Sequence, residues 1–135
     1  MTRQGIFLGR PSSTEEIWNG NGANAALMAL ASAGLTLLDS TLVALGGSAT
    51  YTGAAVDSSP YSRLVGIVFA DRAGTLNVDQ SQDGVNWDYT SPFSIAISSG
   101  LAFSVEVVAP FVRMRIVNGT VAQAILRAYL RGRVI

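Results

Sequence analysis

An antiparallel all-β sandwich or jelly roll, with an extended N-terminal arm and one short helix, is the fold this sequence predicts. Three observations point there. Residues 74–89 read as two alternating strands joined at Asp83-Gly84. Asp-Gly between alternating runs signals a hairpin, because glycine takes positive φ without a Cβ clash. Turn signals then recur along the chain from Ser48 onward, which suits short strands. The strand-like runs also follow one another directly, which favours antiparallel hairpins over βαβ units.

The elements follow in order. Residues 1–22 lack a sustained period and combine Gly5, Gly9, Pro11, Gly20 and Gly22 with the isolated apolar groups Ile6, Phe7, Leu8 and Trp18. Such spaced anchors suit an arm that docks on a neighbouring subunit. Residues 24–33 have the composition of a short helix, capped by Asn24 and ended by Gly34. Residues 35–45 place Leu35, Leu37, Thr41, Val43 and Leu45 on one parity, as an extended segment would. Candidate strands then cover 48–56, 61–70, 74–82, 86–97 (broken near Pro92), 101–109, 111–118 and 121–131. The organisation is therefore an arm with a short helix over 1–47 and a β-sandwich over 48–135.

Composition narrows the function. Of 135 residues, 49% are hydrophobic and only 13% charged, against roughly 25% charged in an ordinary domain. So little charge suits a surface buried against other subunits, and a homo-oligomer is expected. All nine basic residues are Arg, and Lys, His and Cys are absent. A Ser-His-Asp triad, a Cys nucleophile with its His, a Schiff-base lysine and disulfides are therefore excluded within the chain. Formal net charge is zero without a long basic run, so nonspecific nucleic-acid binding lacks its electrostatic basis. The N-terminus does not read as a signal peptide. Residues 23–45 are interrupted by Ser32, Gly34, Thr36, Asp39, Ser40 and Thr41, so no membrane span is expected.

Other constellations have plainer readings. Asp79, Ser81 and Asp83 followed by Gly84 match the front of a calcium loop, but the twelfth position is Thr90 and lacks the bidentate Glu. A glycosidase carboxylate pair is conceivable from Asp79, Asp83 and Asp88, but short hairpins bring Asp residues to such separations by chance. No catalytic residue, metal site or cofactor is expected. Trp87 and Tyr89 can line a glycan-binding face, although the parity Trp87 shares with Val85 and Tyr89 favours a core or semi-core place. On the last three strands, alternation places Glu106, Arg113, Arg115, Arg127 and Arg131 on one outer face, a candidate protein contact.

The order Gly74-Thr75-Leu76, Gln80-Ser81-Gln82-Asp83-Gly84-Val85-Asn86-Trp87-Asp88, Ala109-Pro110-Phe111-Val112-Arg113-Met114-Arg115 and Asn118-Gly119 resembles the β-sandwich modules of tailed-phage virion proteins. The resemblance covers less than half the chain and implies a structural protein located in the virion, with no enzymatic activity. Capsid or other virion proteins are the implied partners. A capsid decoration (cement) protein is the leading expectation. The alternatives are a carbohydrate-binding appendage for host adsorption and a tail or head–tail connector subunit.

Overall fold

The computed structural model describes residues 34–134. The helix read over 24–33 and the anchors Ile6, Phe7, Leu8 and Trp18 lie outside those residues.

The described chain is an all-β sandwich of strands β1 (Leu35–Thr41), β2 (Thr50–Thr52), β3 (Val56–Asp57), β4 (Arg63–Ala70), β5 (Gly74–Ser81), β6 (Tyr89–Ile95), β7 (Leu101–Glu106), β8 (Phe111–Asn118) and β9 (Leu126–Arg133). One sheet runs β1-β9-β4-β7. The other runs β2-β8-β5-β6, with β3 also paired to β8. Every pairing is antiparallel. The pairs nest: β5 with β6, β4 with β7, β2 and β3 with β8, and β1 with β9. Two further ladders, β9 to β4 and β8 to β5, roll this doubled ribbon into two sheets. That order is a jelly roll, and its tip is the Asp83-Gly84 turn.

The tip is wider than the sequence suggests. The returning strand begins at Tyr89 rather than residue 86. Asp83 organises the loop: its Oδ1 accepts the backbone N–H of Val85 (2.9 Å) and Asn86 (2.7 Å), and its Oδ2 accepts Asn86 Nδ2 (2.7 Å). Those bonds, led by the Asn86 N–H, hold the Asp83 carboxyl far below the usual range. Gly84 supplies the positive φ of 77°. The last strand likewise starts at Leu126 rather than 121, because Asp71 accepts the N–H groups of Ala124 and Ile125 and keeps them in a loop.

A larger correction concerns the arm. Leu35–Thr41, placed in the arm by the sequence reading, is an edge strand of the sandwich, hydrogen-bonded to β9. A bulge at Leu130/Arg131 skips Leu38 in the register. Parity read this segment as extended, but which distant strand pairs with it is not written in its own period. Asp39 of this strand accepts the Tyr51 hydroxyl (2.9 Å) across the two sheets. Burial first, then the Asp39 bond and charge, push the Tyr51 hydroxyl up to about 12.

The core lies between the sheets. Leu64, Val68, Leu126 and Leu130 face Leu76, Val78, Val112, Met114 and Ile116, all buried. Each such side chain contributes about 1.5–3 kcal/mol. Phe93 and Phe103, from opposite sheets, meet at 5.8 Å. Gly66 makes room for them, since a Cβ there would collide with the Tyr129 backbone oxygen and the Phe103 ring. Buried Gln80 ties the five-stranded sheet to the β7–β8 connection: its Nε2 donates to Glu106 O (2.9 Å), and its Oε1 accepts the Val108 N–H (2.9 Å).

Candidate functional site

Alternation along each strand sends one set of side chains outward, so the sandwich has two outer faces. The sequence-predicted Arg face divides between them. Arg113 and Arg115 lie on β8 of the five-stranded sheet, whereas Glu106, Arg127 and Arg131 lie on β7 and β9 of the other. Strands consecutive in sequence switch sheets in a jelly roll, so shared parity does not make a shared face.

On the five-stranded sheet, Asp79 stands opposite Arg113 on one side and Thr90 on the other. Its carboxylate side chain is only 1% exposed. Asp79 Oδ2 accepts Arg113 Nε and Arg115 Nε, both at 2.8 Å, while Oδ1 accepts Arg115 Nη2 (3.0 Å) and Thr90 Oγ1 (2.7 Å). Burial pushes this carboxyl up, but the bonds from Arg115, Arg113 and Thr90 together outweigh it and leave it below its ordinary value. The same pairing raises Arg115 further. Asp79 is therefore an acceptor hub for its own sheet, and its oxygens are occupied by protein donors. The Arg113 guanidinium sits 4.4 Å over the Trp87 ring. Trp87 is half-buried in the tip loop and lies outside the core between the sheets, contrary to its parity with Val85. Tyr89 is exposed. The candidate glycan pair thus offers one open ring and one ring stacked by arginine.

On the four-stranded sheet, the outward positions depart from the usual alternation of an antiparallel sheet. Val65, Ile67 and Phe69 point outward from β4, while Leu64, Val68 and Ala70 fill the core. Tyr129 on β9 lies beside Ile67, and Leu35 and Leu37 on β1 extend the surface to the sheet edge. Leu35, Leu37 and Ile67 are 54%, 48% and 57% exposed. A concavity of about 460 Å³ opens here, lined by Leu35, Val65, Ile67, Ala102, Tyr129 and Arg131 among others. Arg127 stacks on Phe69 at 4.6 Å. An antiparallel sheet with one solvated face reads hydrophobic-in, polar-out, and this outer face departs from that pattern among the described residues.

Parity reasoning found Arg127 and Arg131 but missed the apolar residues between them. The signal was present: residues 64–70, Leu-Val-Gly-Ile-Val-Phe-Ala, form an unbroken apolar run, which marks a strand buried on both sides. Further exposed apolar groups, Leu42, Val43, Ile97, Val121 and Ile125, sit on the loops at the jelly-roll end opposite the Asp83 turn.

Such a module, rigid in its core and apolar on an outer face, is a β-sandwich suited to assembly with other chains. The chain belongs to the family described as Uncharacterised protein YqxG N-terminal domain, which matches residues 19–131. It is similar to the crystal structure of PBSX exported protein XepA, at 26% identity and a TM-score of 0.67, over 76% of this chain and 37% of that one. The chain thus spans well under half the length of XepA. A looser similarity, at 15% identity and a TM-score of 0.46, is to Bacillus endospore appendages that form disulfide-linked pili, over 76% of this chain and 90% of that one. No curated protein matches the chain.

Proposed function

We propose that this chain is a non-enzymatic structural subunit of a phage-type or exported assembly, and specifically a decoration protein that binds across neighbouring capsid subunits. The observation that carries the reading is the outward apolar surface of β4, β9 and β1, which a solvated sandwich has no reason to expose. Three features support it: the low charge, the similarity to an exported protein and the phage-module resemblance around the Asp83 turn. The jelly-roll order agrees with it, since that fold recurs in viral capsid domains, although a fold by itself names no function. A subunit that binds only the assembled lattice stabilises it by mass action.

The test compares shells with and without the protein. Shells carrying it should rupture at higher temperature, and equal rupture temperatures would defeat the cementing role. Deleting residues 1–22 should leave a β-type circular dichroism spectrum while weakening incorporation. Unchanged incorporation would move the contact from the arm to the sheet face. A glycan array run with native protein and Trp87→Ala addresses the adsorption alternative. Arginine stacking on Trp87 weighs against that alternative.

A further inference from the structure

We propose that the outer face of the four-stranded sheet docks an extended acidic and apolar segment of a neighbouring assembly protein, an inference that rests on the structural-subunit reading above. The charge pattern specifies the partner. Outward positions on β1, β4, β7 and β9 carry Arg63, Arg127, Arg131 and Arg133 against the single acid Glu106. Among the described residues, none of these arginines has a carboxylate within ion-pairing distance; the ion pairs there are those of Asp79 on the opposite sheet.

Neutral groups hold the cations in place instead. Arg63 Nε donates to Ser104 Oγ (2.8 Å), and Arg127 lies over the Phe69 ring. Arg63 stands between Arg133 on one side and Glu106 on the other. Glu106 does not come within ion-pairing distance, and the Arg63–Arg133 placement sets like charges directly opposite each other, which is destabilising. Arg133 Nε is buried and has no hydrogen-bond partner. A fold gains nothing by setting unpaired arginines side by side around an apolar strip. A bound segment that brings carboxylates to the arginines and apolar side chains to Leu37, Val65 and Ile67 satisfies both at once.

The same pattern disfavours other occupants. A second copy docked face to face sets arginines against arginines, which opposes a symmetric dimer. A nucleic-acid backbone needs a continuous track of donors, and here Leu37, Val65, Ile67 and Tyr129 interrupt it.

The experiment titrates the full chain with soluble peptides of alternating Leu and Glu, alternating Leu and Lys, and alternating Ser and Glu, followed by fluorescence anisotropy. The Leu-Glu peptide should bind, and the other two should bind at least about tenfold more weakly. Arg131→Glu and Ile67→Asp should each weaken the Leu-Glu peptide about tenfold, and Tyr89→Ala on the opposite sheet should not. If Arg131→Glu fails to fold, Arg131→Gln takes its place, with salt raised to about 0.5 M expected to weaken native binding. Equal binding of the Leu-Glu and Leu-Lys peptides overturns the proposal, as does indifference to Ile67→Asp. Tighter binding of an oligothymidylate, or a concentration-dependent dimer abolished by Ile67→Asp, reassigns the face and overturns it too. Shell incorporation separates the two readings. Arg131→Glu incorporating like native protein defeats this inference alone, whereas native protein that fails to incorporate defeats the structural-subunit reading.

Discussion

Replacing Asp79 by Asn tests whether the five-stranded sheet is held by a single buried acceptor. The carboxylate accepts two bonds from Arg115 and one each from Arg113 and Thr90. Removing one partner of a buried ion pair costs about 3–5 kcal/mol. Two features reduce that here. The arginine side chains remain 24% and 28% exposed, so water takes up part of what they lose, and Asn keeps one carbonyl acceptor. A loss of about 2–3 kcal/mol remains. In a domain of about 100 residues each kcal/mol moves Tm by about 4–8 °C, so Tm should fall by on the order of 10–20 °C. Urea denaturation at neutral pH measures the same difference. The sign of the pH dependence follows from the lowered carboxyl of the folded chain. The unfolded state then binds more protons as acid is added. The Asp79 contribution is complete above the unfolded carboxylate value, about 3.9, and is lost as pH falls through the lower folded value. The gap between native and Asp79→Asn stability should therefore be constant from pH 7 to about pH 5 and close below about pH 4. A neutral-pH gap under about 0.5 kcal/mol, the size of an exposed pair, or a gap that persists in acid, refutes the reasoning.

Three other substitutions probe the frame. Gly66→Ala should cost about 1–3 kcal/mol in denaturant, because its Cβ meets the Phe103 ring and the Tyr129 backbone oxygen; Phe103→Leu should recover part of that loss. Gln80→Leu orphans the Val108 N–H and the Glu106 carbonyl, for a cost of about 1–3 kcal/mol, and should speed hydrogen exchange at Val108 selectively. Tyr51→Phe should flatten the alkaline limb of stability. The folded hydroxyl is raised from 10.0 to about 12, so its contribution is full below pH 10 and lost as pH rises toward about 12 in the native protein only.

Much of the fold was legible from local chemistry. Asp83-Gly84 named the central turn because glycine takes the positive φ such a turn needs and few other residues do. Strand β8 matched its expected limits of 111–118, since Val112, Met114 and Ile116 alternate cleanly with Arg113, Val117 and Arg115. The candidate surface was half legible. Arg127 and Arg131 were named, but Val65 and Ile67 were read as generic strand residues, because parity assigns one face to the core and says nothing of what covers the other. Trp87 is half-buried, but against Arg113 rather than between the sheets: the Asp83 bonds hold residues 82–88 out of the ladder, so strand parity does not apply there.

The amino-acid sequence alone determined that the described residues form a β-sandwich, that the chain doubles back at Asp83-Gly84, and that it carries no His, Cys or Lys for their chemistry. These follow from residue types and nearest neighbours. The tertiary structure decided which strands share a sheet. It separated Arg113 and Arg115 from Arg127 and Arg131, drew Leu35–Thr41 into the sandwich, and set Arg133 beside Arg63. Those outcomes depend on hydrogen bonds between residues far apart in sequence, and a period-2 pattern carries no record of which distant strand completes them.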